Sequence, residues 1–98
     1  MSYKIEIDKK ADKFMSKLAK SQPEYHFKID TFIKEKLAKD ENPCILPNAK
    51  HLQGYKDNRY RWRLGDYRII AKVQNGELKI IQIIKIDKRD NNTYSHTK

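Results

Sequence analysis

Apolar and polar positions alternate along the chain with two different periods, and the change of period divides it. Tyr3, Ile5 and Ile7 alternate with Lys4 and Glu6, which predicts a short strand over residues 3–7. From Ala11 the spacing becomes helical: Ala11, Phe14, Met15 and Leu18 fall at i, i+3, i+4 and i+7, behind a candidate N-cap at Asp8. Ser21 is a candidate cap for a second helix, with Pro23 and Glu24 in its first turn. Tyr25, Ile29, Phe32, Ile33 and Leu37 carry that helix's stripe, so the two helices read as an αα-hairpin. Residues 39–49, with Pro43 and Pro47, read as a connecting loop.

The period returns to two after this loop. A strand begins near His51 and Leu52, and a loop over Gly54–Asn58 follows. Tyr60, Trp62 and Leu64 then alternate with Arg59, Arg61 and Arg63. Gly65-Asp66 suits a two-residue hairpin turn, Tyr67–Val73 forms the next strand, and Asn75-Gly76 is a second hairpin signal. Leu78–Ile86 is apolar on both faces, as expected of an interior strand. The fold class predicted is α+β: an N-terminal strand, then an αα-hairpin packed on a twisted antiparallel β-sheet, forming one domain over residues 1–98.

The two turns imply a register. Around Gly65-Asp66, Leu64 opposes Tyr67, Arg63 opposes Arg68, Trp62 opposes Ile69 and Arg61 opposes Ile70. Arg61, Arg63 and Arg68 then share one face, and Tyr60, Trp62, Leu64, Tyr67, Ile69, Ala71 and Val73 share the face under the helices. Around a two-residue Asn75-Gly76 loop, Ile70 opposes Ile81 and Arg68 opposes Ile83. The arginine face is thereby expected to include Ile70, Ile81 and Ile83, with Lys85 further along. Arg63 facing Arg68 is a local conflict, because like charges directly opposite destabilise a strand pair, and such conflicts tend to mark function.

Charge sharpens this picture. The 98 residues carry 22 basic and 13 acidic side chains, a net charge of +9. A polyanionic partner is the natural expectation, although a basic face is also common on solvated sheets. The lysines are spread widely, but every arginine lies after residue 58: Arg59, Arg61, Arg63, Arg68 and Arg89. Guanidinium grips phosphate in a planar fork that lysine cannot copy. With Tyr94 beyond Arg89 as a stacking ring, the set suits single-stranded nucleic acid. No metal-ligand spacing, Gly-rich phosphate loop or nucleophilic triad is present, so neither metal nor cofactor is expected. The lone Cys44, the absence of a leader-like N-terminus and the lack of a long apolar run predict a cytoplasmic protein without a membrane span.

The segment KHLQGYKDNRYRWRLGDYRIIAKV, residues 50–73, resembles the RelE/ParE superfamily of bacterial toxins from toxin–antitoxin systems. The matching residues are Leu52 and Gly54, then Tyr60-Arg61-Trp62-Arg63-Leu64-Gly65-Asp66-Tyr67-Arg68, the strand Leu78–Ile86, and Lys88-Arg89 with Tyr94. The resemblance implies a cognate antitoxin as partner. For the RelE branch it also implies the ribosome and mRNA as partners, and a metal-free endoribonuclease cutting mRNA in the A site by 2′-hydroxyl attack. Carried over by position, Arg61, Arg63, Arg68, Arg89 and Tyr94 are the candidate catalytic residues, Arg68 on the scissile phosphate, Arg89 near the leaving group and Tyr94 against a base. Lys50, Arg59, Lys85 and Lys88 are candidate substrate-binding residues. Arginine stands at both 61 and 63 where some members carry lysine, and Lys88 stands where some carry histidine. One extra residue separates Arg89 from Tyr94. Guanidinium scarcely deprotonates, which leaves the general base open among Lys50, Lys88 and purely electrostatic activation. A ParE-like gyrase inhibitor without nuclease activity and an inactive RNA-binding relative are the alternatives.

Overall fold

A computed structural model describes residues 3–88. The chain runs β1 (Lys4–Ile7), α1 (Lys9–Ser21), α2 (Pro23–Phe32), β2 (Ala49–Leu52), β3 (Arg59–Leu64), β4 (Tyr67–Asn75) and β5 (Lys79–Lys88). The five strands form one sheet in the order β1-β5-β4-β3-β2. The helices cover one of its faces. β3, β4 and β5 pair antiparallel, as the turns predict, and β2 adds antiparallel to β3, whereas β1 joins β5 in parallel, so the sheet is mixed. The αα-hairpin makes this possible, because it carries the chain across the sheet between β1 and the remaining strands.

The helical stripe is buried as expected: Ala11, Met15 and Leu18 from α1, and Ile29 from α2. A π-helical turn, Ile33–Leu37, extends α2 and buries both of its ends. Opposite them the sheet contributes Trp62, Tyr67, Ile69, Ala71, Val73, Ile81, Ile83 and Ile86. The caps differ from the sequence expectation. Asp8 precedes α1 but its side chain accepts a hydrogen bond from Gln82 Nε2 at 2.8 Å, tying β1 to β5 rather than capping the helix. Ser21 is the last residue of α1, its Oγ donating to Lys17 O, and Gln22 joins the two helices with Pro23 opening α2.

The first hairpin has the predicted register in full, from Arg59 opposite Lys72 to Leu64 opposite Tyr67. Gly65 takes φ +58°, a left-handed conformation for which glycine has no steric penalty. The second hairpin departs from expectation. Its strands first pair at Asn75 and Lys79, so Gly76, Glu77 and Leu78 form the loop. A bulge then interrupts the ladder: Ala71 opposes Ile83 and Ile70 opposes Lys85, leaving Ile84 unmatched. Ile81 and Ile83 consequently lie in the core, fully buried, and not on the arginine face. Beyond the bulge the alternation is inverted, with Ile86 inside and Lys85 and Asp87 outside.

Candidate functional site

The face of the sheet turned away from the helices is built in rows, because cross-strand partners share a face. One row runs Lys50, Arg61, Ile70, Lys85 across β2, β3, β4 and β5. The adjacent row, nearer the Gly65 turn, runs Arg63, Arg68, Asp87. A third row on the other side runs Leu52, Arg59, Lys72, Gln82, Glu6. Five of the cationic residues singled out from the sequence thus meet in two neighbouring rows: Lys50, Arg61, Arg63, Arg68 and Lys85.

Asp87 resolves the conflict between Arg63 and Arg68. Its carboxylate receives Arg68 Nε and Nη2 in a bidentate fork, both at 3.1 Å, and Lys85 Nζ lies 3.5 Å from Oδ2. Arg63 is positioned through its backbone. Its N–H donates to Asn48 O at 3.1 Å, and its carbonyl accepts from Asn48 Nδ2 at 2.9 Å. The Arg63 side chain is exposed and has no carboxylate partner among the described residues. Arg61 and Arg63 border a recess of about 350 Å³ with Pro47, Asn48, Ala49 and Gly65. A recess of that size with guanidiniums on its rim can seat a phosphate group.

Behind these rows the strands are anchored to the core. Trp62, between Arg61 and Arg63 in sequence and on the opposite face, is fully buried. Its indole Nε1 donates to Pro43 O at 2.9 Å and fastens the Pro43 loop under β3. Cys44 in that loop is hydrogen-bonded to Tyr60, and burial pushes its thiol above the ordinary value. Burial likewise raises the phenols of Tyr60 and Tyr3. The cluster stays protonated at neutral pH, which makes Cys44 a poor nucleophile.

Arg59 lies one row away and is fully engaged. Its guanidinium sits 3.9 Å from the centre of the Tyr55 ring and forks onto Asp57 at 3.0 and 2.9 Å. The Arg59 hydrogen bond, against a smaller opposing effect of burial, holds the Asp57 carboxyl below its ordinary value, and Lys72 adds to the attraction from 3.8 Å. Arg59 therefore braces the Gly54–Asn58 loop against β3. Lys88 pairs with Tyr67 and so belongs by register to the helix side of the sheet, not to the arginine side. The inverted alternation after Ile84 is the reason. Arg89 and Tyr94 lie outside the described residues. Sequence reasoning missed Asp87 and Asn48. The Lys85-Ile86-Asp87 alternation carries a signal for Asp87, but it becomes readable only once the bulge is known.

Among the described residues, no cluster of His, Cys, Asp and Glu is placed to hold a metal ion, and no helix is long and apolar enough to cross a membrane. No family model and no curated protein matches the chain in sequence. Solved structures do match in fold. A chain of the toxin–antitoxin complex RelBE2 from Mycobacterium tuberculosis superposes with a TM-score of 0.73 at 21% identity, covering 91% of this chain and 100% of that one. A chain of the archaeal RelE–RelB complex from Pyrococcus horikoshii OT3 superposes with a TM-score of 0.63 at 29% identity, covering 93% and 99%.

Proposed function

Because the chain has the fold of the RelE toxins, we propose that it is the toxin of a toxin–antitoxin pair and acts as a ribosome-dependent endonuclease on mRNA. One observation carries this reading: Lys50, Arg61, Arg63 and Arg68 converge on adjacent rows of one sheet face, beside a recess with room for a phosphate group. In the reaction the 2′-hydroxyl oxygen attacks the adjacent phosphorus and the bond to the 5′-oxygen breaks. The 2′-hydroxyl gives up its proton and the departing oxygen gains one. The products are a 2′,3′-cyclic phosphate and a 5′-hydroxyl end.

Negative charge accumulates on the phosphorane, and fixed cations are suited to stabilising it. Arg68 and Arg63 would hold the non-bridging oxygens, and Arg61 the neighbouring backbone. Arginine cannot accept the 2′-hydroxyl proton. Lys50, beside Arg61 in the register, is the residue on this face to test for that step. Arg89 and Tyr94 retain their proposed places at the leaving group and against a base. Alignment of the substrate by the ribosome would complement these cations. The partner for inhibition would be an antitoxin. An apolar recess of about 450 Å³ along α2, bordered by Tyr25, Phe27, Phe32 and Leu64, offers a protein partner a surface that meets the arginine recess at the Gly65 turn.

The test is primer extension on a translating message, with wild type and Arg68→Ala compared. Cuts in phase with codons that require ribosomes and fall about 100-fold or more in the variant are expected. An intact message alongside growth arrest and DNA damage would overturn the nuclease in favour of a gyrase poison. An intact message without arrest would indicate an inactive relative.

A further inference from the structure

The two cationic rows contain one carboxylate among the described residues, and it is placed on the residue assigned to the phosphate. Asp87 takes the Nε–Nη2 edge of Arg68 with both oxygens at 3.1 Å. That fork is the geometry in which guanidinium also binds a phosphate. Lys85, at 3.5 Å from Asp87, is drawn toward the same carboxylate. A phosphate arriving at Arg68 must either displace Asp87 or share the guanidinium with it at close range. Both routes weaken capture, and even at the dielectric of bulk water a like charge about 4–5 Å away lowers affinity by roughly fivefold.

We propose that Asp87 determines specificity at this site. By occupying Arg68 it suppresses capture of loose RNA backbone, so that Arg68 engages a phosphate only when that phosphate is held against the site by the assembly that carries it. The inference rests on the reading of Arg68 as the phosphate-gripping residue. It gives Asp87 a role beyond balancing Arg63 against Arg68. A cationic face without this carboxylate would bind any single strand through its backbone, independent of sequence. With it, the protein's highly positive charge does not translate into sequestration on bulk RNA.

The experiment uses the free toxin without ribosomes. The probes are inorganic phosphate and a single-stranded RNA bearing 2′-O-methyl groups, which cannot be cleaved by 2′-hydroxyl attack. Wild type, Asp87→Asn, Arg68→Ala, the double variant and Glu6→Gln are compared at low salt, with the Arg68 Nε–H resonance followed during the phosphate titration. Glu6→Gln makes the same change in net charge on the β1 edge, beside Gln82. Asp87→Asn is expected to bind the RNA about fivefold tighter, to bring Arg68 into contact with phosphate at lower concentration, and to lose its gain when Arg68 is replaced. Glu6→Gln is expected to match wild type. A structural defect cannot produce this pattern, because misfolding does not tighten binding through one arginine.

Unchanged or weaker binding by Asp87→Asn would overturn the proposal, as would an equal gain in Glu6→Gln. Binding of neither probe by Asp87→Asn would overturn it as well. Absence of cleavage in the translating-message assay would count against the nuclease reading and leave this outcome unaffected, so the two failures are distinguishable.

Discussion

Replacing Trp62 with phenylalanine tests whether the arginine strand is held from behind. The indole is fully buried and donates to Pro43 O at 2.9 Å across 19 residues of chain. Pro43 is itself fully buried, and its carbonyl also accepts from Leu46 N–H at 3.3 Å, so the substitution removes one hydrogen bond without orphaning the acceptor. A lost hydrogen bond costs about 0.5–1.5 kcal/mol. The smaller ring adds a cavity cost of about 1–2 kcal/mol, giving a total of about 1.5–3.5 kcal/mol. Domains of this size have about 5–15 kcal/mol of stability in all, so the variant should fold but unfold at much lower denaturant. Trp62 is the sole tryptophan, which makes far-UV circular dichroism in urea the appropriate assay for both proteins. With a slope of about 1–3 kcal/mol per molar, the midpoint should fall by about 1–2 M without a change in slope. A shift under about 0.3 M would refute the reasoning, since it would mean that neither the Pro43 carbonyl nor the indole volume matters to the fold.

The bulge predicts that Ile83→Ala, at a fully buried position, costs about 2–5 kcal/mol in urea unfolding. A cost near zero would place Ile83 on the outer face and favour the simpler hairpin. The Arg59–Asp57 pair predicts acid sensitivity: the folded Asp57 carboxyl lies below its unfolded value near 3.8, so its stabilisation is present above that pH and is lost as pH falls below it. Urea midpoints of Asp57→Asn should therefore differ from wild type at pH 6 and approach it toward pH 3, and a constant difference would sink the linkage. Cys44 should react with a thiol reagent at pH 8 several-fold more slowly in the folded protein than in urea, since its raised pKa and burial both limit thiolate. Equal rates would show an open, ordinary thiol.

The first hairpin was legible because its signals agree. Gly65-Asp66 fixes the turn, and Tyr60, Trp62, Ile69 and Ala71 can face only one way if a core is to form. The second hairpin has no such safeguard. Ile80, Ile81, Ile83, Ile84 and Ile86 supply isoleucine in either frame, so a shifted loop and an extra residue leave the apolar pattern intact. The resulting error hid Asp87, because a register that places Ile83 opposite Arg68 has no room for a carboxylate there. Arg63 against Arg68 was read correctly as a conflict, but its compensation came from a third strand. The parallel β1 was likewise out of reach, since a strand of four residues pairs by where the helices deliver it rather than by its own pattern. Lys50 and Arg61 came together through the β2 pairing, which no turn motif between them encodes. Arg89 and Tyr94 fall outside the described residues.

The unmatched Ile84 separates β5 into two segments with opposite parity. Pairing the unshortened strand evenly with β4, without the bulge, would set Ile84 opposite Ile70 and turn Lys85 and Asp87 inward and Ile86 out into solvent, whereas deleting Ile84 would remove the bulge and leave both faces as they are. Loss of a residue beyond Ile84, with the bulge kept, is therefore not interchangeable with a change of length in the loop at Gly76, where a residue can be gained or lost without exchanging the two faces. Comparing homologues across this strand calls for counting from both ends, because a gap placed on the wrong side of Ile84 would assign site residues to the core and core residues to the site.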